Sequence, residues 1–211
     1  MSWQCTSVVM SHDIKRGSNM SQADVMVYLV RHADAGDKSA WRGVDGDRPL
    51  TTNGWREAAG LVVRLEDFPI DRVLSSPALR CRQTVCPVAA RSRLPIEDCD
   101  LLRIGADAAA LAAFIHSRAV DRAVLCTHGE LLAELIPVLI AEGAVATDPL
   151  LWPKGATWIL HGTVGAPLRA RFLPPLAWPV APDDVHDDSW RPRATNDACE
   201  QARTAAGAAV R

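Results

Sequence analysis

Short apolar runs alternate with segments of helical periodicity along the middle of the chain. Residues 25–30 (VMVYLV) form a continuous apolar run, as expected for a strand buried on both faces. After Thr51 and Thr52, either of which can cap a helix, apolar residues recur on one helical stripe. This alternation predicts an α/β fold, a three-layer sandwich whose mostly parallel central sheet carries helices on both faces.

The same alternation continues to residue 173 and defines the remaining elements. We predict further strands at 71–75, around Ile96, and at 123–127, 157–160 and 168–173. Helices are predicted at 78–90, 107–117 and 130–142. A glycine-containing turn separates the last two strands, which favours an antiparallel hairpin.

The two ends of the chain lack this pattern. We therefore predict a flexible extension over residues 1–22, a single domain over 23–175, and a poorly ordered tail over 176–211 that is rich in proline and aspartate. The length of 211 residues suits one compact domain with extensions.

Charge and composition narrow the function classes. A formal net charge of -2 provides no broad attraction for nucleic acid or an anionic membrane surface, so neither is an expected partner. No signal peptide pattern and no run of about 18 apolar residues is present, which favours a cytoplasmic protein. The six cysteines are scattered without a CxxC pair, so we expect no metal site. The oligomeric state is not predicted.

Chemically active side chains follow three of the predicted strands. Arg31 and His32 directly follow the first, Arg80 lies shortly after the second, and His128 follows the strand at 123–127. The carboxyl ends of strands in open α/β sheets gather ligand-binding groups. If these four side chains converge, their natural ligand is a phosphoryl group.

The residue types suit that ligand. The guanidinium groups of Arg31 and Arg80 can hold phosphate oxygens bidentately and remain charged throughout a reaction. Neutral imidazole presents a nitrogen lone pair, so His32 is a candidate covalent nucleophile. His128 is a second candidate catalytic residue, which would hydrogen-bond the oxygens of the transferring group.

Four motifs contain these residues: LVRHADAG at 29–36, RPLTTNG at 48–54, SSPALRCRQT at 75–84 and CTHGE at 126–130. Over about residues 25–173 the chain resembles the histidine phosphatase superfamily, with its phosphoglycerate mutase-like fold, and specifically the SixA-like phosphohistidine phosphatase group. The resemblance implies a metal-independent phosphatase without cofactors that forms a phosphohistidine on His32. It also implies a phosphate pocket made by Arg31, Arg80 and His128.

Two further segments are candidates for the rim of the site. Residues 152–158 resemble a tract in the phosphatase domain that actinobacterial MutT-type proteins carry behind a Nudix domain. Within it, Lys154 is either a ligand for a second phosphate or, as we favour, an exposed structural lysine. The segment 37–47 is long enough to cover the pocket, and its Trp41 either stacks on a base or packs on the domain.

One family feature is absent. Larger superfamily members carry a glutamate that protonates the leaving group, whereas the comparable stretch 101–106 contains no acid. The sequence leaves several substitutes open: Asp34, Glu97, Asp98, Asp100, Asp107 and Glu130. The absence favours leaving groups that need little protonation, such as a phosphorylated imidazole or an anhydride phosphate.

Phosphohistidine proteins and small phosphorylated metabolites or nucleotides are equally favoured as substrates. Mutase activity is a distant alternative, because it needs the missing acid and additional loops. The alternative from a different class is a catalytically silent module that binds phosphate or a phosphopeptide.

Overall fold

The computed structural model of the chain describes residues 24–146, 150–163 and 166–176. The extension expected at 1–22 and the tail from residue 177 onward lie outside these ranges. None of the helices in the described part has both the length and the apolar character needed to cross a bilayer.

The centre of the molecule is a seven-stranded sheet. Its strands are β1 Asp24–Arg31, β2 Arg72–Ser75, β3 Ile96–Asp98, β4 Ala123–Thr127, β5 Val145–Ala146, β6 Thr157–Thr163 and β7 Arg169–Leu173. They lie in the order β3-β2-β4-β1-β6-β7-β5. Strands β3, β2, β4 and β1 are parallel, β6 is antiparallel to both β1 and β7, and β5 pairs in parallel with β7.

Four helices cover the two faces of this sheet. They are α1 Thr52–Arg64, α2 Leu79–Ser92, α3 Ala108–Ile115 and α4 Gly129–Ala141. Buried residues of α1 and α2 pack in one apolar cluster with β1 and β4, and buried residues of α3 and α4 pack in another on the opposite face. The predicted three-layer α/β architecture with a mostly parallel sheet is therefore confirmed.

The helix boundaries follow local signals in the sequence. The Thr51 hydroxyl accepts a hydrogen bond from Gly54 N at the start of α1, and the Asp107 carboxylate accepts one from Ala109 N at the start of α3. Strand β5 was not predicted, because two partly exposed residues at a sheet edge are too short to show a period.

Strand order decides where the chemistry lies. The parallel registers pair Arg31 with Thr127 and Ser75 with Cys126. The carboxyl ends of β1, β4 and β2 consequently meet at one edge of the sheet, and the residues that follow them, His32, His128 and Ser76, leave the sheet side by side.

The central strand β4 should be the main source of stability, since all five of its residues are buried. Leu125→Ala in this strand should lower the free energy of unfolding by about 2–5 kcal/mol through the cavity it creates. Val145→Ala in the edge strand β5, where the side chain is 56% exposed, should change it by less than about 0.5 kcal/mol. Urea unfolding monitored by circular dichroism measures both, and equal losses would contradict this assignment of the core.

Candidate active site

His32 lies directly beyond β1 with its ring held in one tautomer. Its backbone N–H donates to Thr127 O at 2.9 Å, which ties it to the end of β4. Its ring Nδ1 lies 2.8 Å from Ala33 O, and because a carbonyl only accepts, Nδ1 carries the proton. Nε2 therefore presents a lone pair.

The environment keeps this imidazole neutral. The side chain is buried, and burial lowers the pKa of His32 to about 3, against the smaller opposing effect of its hydrogen bond to Ala33. The positive charges of Arg80 and Arg31 act in the same direction as burial and contribute to this low pKa. A neutral ring with a bare Nε2 is the form in which histidine is a nucleophile.

His128 faces His32 across the pocket, with ring centroids 5.4 Å apart and planes at 64°. Arg80 Nη2 lies 3.2 Å from His128 Nδ1, and because a guanidinium only donates, Nδ1 is the acceptor. Nε2 then carries the proton and donates to Ser76 Oγ at 2.8 Å. Both ring nitrogens of His128 are engaged, and Ser76 is a positioning contact that the sequence showed only as part of its motif.

Arg31 reaches the same region from the end of β1. Its Nη1 donates to Trp152 O at 2.7 Å. A Cβ atom on Gly129 would lie 2.7 Å from Arg31 Cζ, so only glycine lets α4 begin this close to the guanidinium group. The Nε atoms of Arg31 and Arg80 are buried and have no hydrogen-bond partner among the described residues.

The N-terminus of α4 adds positive potential. His128 is the N-cap residue, and its side chain makes no capping hydrogen bond. The first N–H groups of a helix lack intrahelical partners and carry the positive end of the helix dipole, which favours an anion. Two guanidinium groups and a helix N-terminus therefore surround the two histidines.

Asp45 also lies in this cluster, which the sequence analysis did not predict. Arg80 Nη1 donates to the Asp45 carbonyl oxygen at 2.6 Å, and Arg80 Nη2 donates to Asp45 Oδ2 at 3.1 Å. Arg48 Nε donates to Asp45 Oδ1 at 2.9 Å. No spacing rule marks this contact, because 35 residues separate Asp45 from Arg80.

The two predicted rim residues, Lys154 and Trp41, form hydrogen bonds with groups of the protein. Lys154 Nζ donates to Asp34 Oδ1 at 2.6 Å, consistent with the structural alternative for this lysine. Burial opposes ionisation of Asp34, but hydrogen bonds from Lys154 and Thr51 outweigh it and lower its pKa. Trp41 Nε1 donates to Val44 O at 3.0 Å within its own loop.

The motif side chains Arg31, His32, Arg80 and His128 thus lie together, whereas Trp41 and Lys154 make contacts with neighbouring loop residues. Within the described ranges, no three His, Cys, Asp or Glu side chains are grouped as metal ligands. The arrangement can hold a small oxyanion and present an imidazole lone pair to it.

A family model described as histidine phosphatase superfamily (branch 1) matches residues 27–103, which include Arg31, His32 and Arg80. A structure assigned to phosphohistidine phosphatase SixA from Nakamurella multipartitia is 25% identical, covers 73% of this chain and 98% of its own, and has a TM-score of 0.57. The chain is thus similar to the histidine phosphatase superfamily in sequence, and its similarity to the SixA structure extends over nearly the whole length of that protein.

Two further proteins are similar to this chain. The protein histidine phosphatase SixA complexed with tungstate is 25% identical, with coverage of 72% and 96% and a TM-score of 0.54. The 8-oxo-(d)GTP phosphatase of Mycolicibacterium smegmatis is 32% identical over 155 residues, which are 71% of this chain and 48% of the relative. The chain spans less than half the length of the curated relatives that it matches.

The low pKa of His32 predicts an acid-sensitive fold. Unfolding raises the pKa from about 3 towards 6.5, so between these values the unfolded state binds one more proton at this residue. Stability should therefore fall as the pH is lowered through this window, with His32 contributing about 1.4 kcal/mol per pH unit. His32→Asn keeps a donor for Ala33 O and should reduce the slope by about one proton. Urea unfolding of both proteins from pH 4 to 7 measures it, and identical slopes would refute it.

Proposed function

We propose that this protein is a metal-independent phosphatase that acts through a phosphohistidine on His32. The observation that carries the proposal is the buried, neutral imidazole of His32. Its Nε2 is unprotonated, and its pocket contains two guanidinium groups. Similarity to the histidine phosphatase superfamily supports the same reaction class. The matches cover less than half the length of the curated relatives. The phosphatase activity is therefore proposed for this chain and is not taken over from them.

In the first step, Nε2 of His32 attacks phosphorus and the bond from phosphorus to the leaving group breaks. The leaving group departs with the bonding electrons, while Nδ1–H remains bonded to Ala33 O and stabilises the positive charge that develops on the ring. Arg31 and Arg80 neutralise charge on the phosphoryl oxygens. Water then attacks phosphorus, which releases inorganic phosphate and restores the neutral ring.

The role of His128 in the reaction depends on its hydrogen bonds. In the free protein it accepts from Arg80 and donates to Ser76, which orients the guanidinium group as well as the ring. A direct hydrogen bond from His128 to a phosphoryl oxygen requires Nε2–H to leave Ser76. We assign His128 to the pocket as a donor that exchanges Ser76 for the phosphoryl group when substrate binds.

The contacts of the six candidate acids do not single out one of them as the proton donor. Five of the six candidates have other hydrogen-bond partners: Asp34 with Lys154, Glu97 with Arg72, Asp98 with Arg82, Asp100 with Arg103, and Asp107 with Ala109 N. Glu130 is exposed in the first turn of α4. Substrates whose leaving group needs little protonation are therefore favoured.

Two substrate classes meet this requirement. A phosphorylated imidazole whose second nitrogen carries a proton leaves as a neutral ring, and the leaving group of a phosphate anhydride is itself a phosphate, which is a weakly basic anion. The SixA relatives are named as phosphohistidine phosphatases and the mycobacterial relative as an 8-oxo-(d)GTP phosphatase, which represents one class each. The tungstate in one SixA structure is a tetrahedral oxyanion, as phosphate is.

Removing the nucleophile tests the mechanism. His32→Ala should lower metal-free hydrolysis of an aryl phosphate by about 10⁴-fold or more, because no other described side chain offers the same lone pair to the pocket. His116→Ala, which removes a histidine paired with Glu142, is the matched control and should retain activity. Mass spectrometry of the quenched wild-type enzyme should show one acid-labile phosphoryl group on the peptide that contains His32. Phosphate binding without any wild-type hydrolysis would instead identify a binding module.

A substrate panel tests the leaving-group argument. We expect turnover of a phosphohistidine protein or a nucleoside diphosphate to exceed that of a sugar phosphate by about 100-fold, the lower range of what general acid catalysis contributes. Initial rates of phosphate release without added metal measure the three substrates. Fastest cleavage of the sugar phosphate would show that an acid does protonate the leaving group.

A further inference from the structure

The side chain expected to bind phosphate most deeply already holds an anion of the protein itself. Arg80 is 2% exposed, and Asp45 occupies both of its terminal nitrogens, Nη1 through the carbonyl oxygen and Nη2 through the carboxylate. We propose that Asp45 is a resident anion in the phosphate pocket, and that the phosphoryl group of the substrate must displace it from Arg80. This inference rests on the proposed function, because it assumes that Arg80 binds the phosphoryl group.

The existing hydrogen bonds of Arg80 leave few of its N–H groups available for a phosphoryl group. Nη2 is shared between His128 Nδ1 and Asp45 Oδ2, Nη1 is taken by the Asp45 carbonyl, and only Nε has no partner among the described residues. A bidentate grip on phosphate needs two neighbouring N–H groups. Both pairs that a guanidinium group offers, Nε with Nη2 and Nη1 with Nη2, use an N–H of Nη2, so its contact with either His128 or Asp45 must break when a phosphoryl group is bound in this way. Asp45 is the partner that can be given up, because it lies on a turn without buried residues whereas His128 is buried.

Electrostatics explain why Asp45 is there in the free protein. A buried guanidinium group without a countercharge is strongly destabilising, and the Asp45 carboxylate supplies that charge. A bound phosphoryl dianion supplies it as well. Because the two anions would then lie next to the same cation and repel each other, the pocket favours one or the other.

The segment that carries Asp45 is suited to withdraw. Asp45 begins a single 3-10 turn, Asp45–Asp47, which contains no buried residue, and the preceding Val44 is 72% exposed. The turn is anchored at its far end, where Arg48 is buried and its Nη1 donates to Ala35 O at 2.7 Å. Arg80 also donates to the backbone carbonyl oxygen of Asp45. When Asp45 leaves Arg80, the backbone of the turn therefore moves as well as the side chain.

Cations near the turn can keep the displaced carboxylate close to the pocket. Arg48 Nε already donates to Asp45 Oδ1, and Lys38 Nζ lies 3.9 Å from Asp45 Oδ2. The exchange also selects for charge. A phosphate monoester or phosphoramidate dianion exceeds the single charge that it replaces, whereas a phosphodiester monoanion only matches it.

The test measures binding of inorganic phosphate by calorimetry, at a pH where phosphate is the dianion. Asp45→Asn keeps the backbone carbonyl for Arg80 and one side-chain oxygen, which can accept from Arg48, but it removes the competing charge and the oxygen that accepts from Arg80 Nη2, so it should bind phosphate about 10-fold more tightly than the wild type. Asp47→Asn is the matched control, because it removes the same charge from an exposed position of the same turn. It should change the affinity by less than about 2-fold.

Unchanged or weaker phosphate binding by Asp45→Asn, with the wild type binding and hydrolysing normally, would overturn this inference and leave the phosphatase proposal intact. Failure of both proteins to bind phosphate would overturn both. If the variant does not fold, hydrogen exchange of the wild type gives the answer. Amides of residues 45–48 should exchange faster with saturating phosphate, and unchanged or slower exchange would refute the displacement.

Discussion

The parallel pairing of β1 with β4 and of β4 with β2 is the constraint on which the site depends. These strands are adjacent in space although they are far apart in the chain, and their carboxyl ends form one edge of the sheet. His32, His128 and Ser76 follow them directly, and their mutual distances are set by strand spacing. A change of register in one strand would turn these side chains to the opposite faces of the sheet.

Burial at this edge then determines the protonation and pairing of each group. His32 is neutral because a charged imidazole in this environment would lose solvation next to two arginines. Arg80 stays charged under the same burial, so the structure has to provide acceptors for it, and it does so with His128 and Asp45. The pocket is therefore poised for an anion before any ligand is present.

Loops around the pocket contact its central side chains and their neighbours. The turn at Asp45–Asp47 lies against Arg80, and Lys154 is tied to Asp34 two residues after His32. These loop contacts would affect how a substrate reaches the pocket, whereas the four central side chains would act on the phosphoryl group once it is bound. Loops vary more readily than strand ends, so differences in substrate choice are expected to arise from such contacts.

The sequence by itself determined the helices, their caps and every strand except β5, because apolar periodicity and capping residues such as Thr51 and Asp107 act locally. It also identified Arg31, His32, Arg80 and His128 as a group, through motifs placed at strand ends. Only the tertiary structure decided the tautomer of His128, the partner of Lys154 and the presence of Asp45 on Arg80. Those features depend on contacts between residues 35 to 120 positions apart, which chain spacing does not encode. Hydrogen bonds of this kind form wherever folding leaves a buried charge in need of a partner, and that need exists only once the charge has been buried.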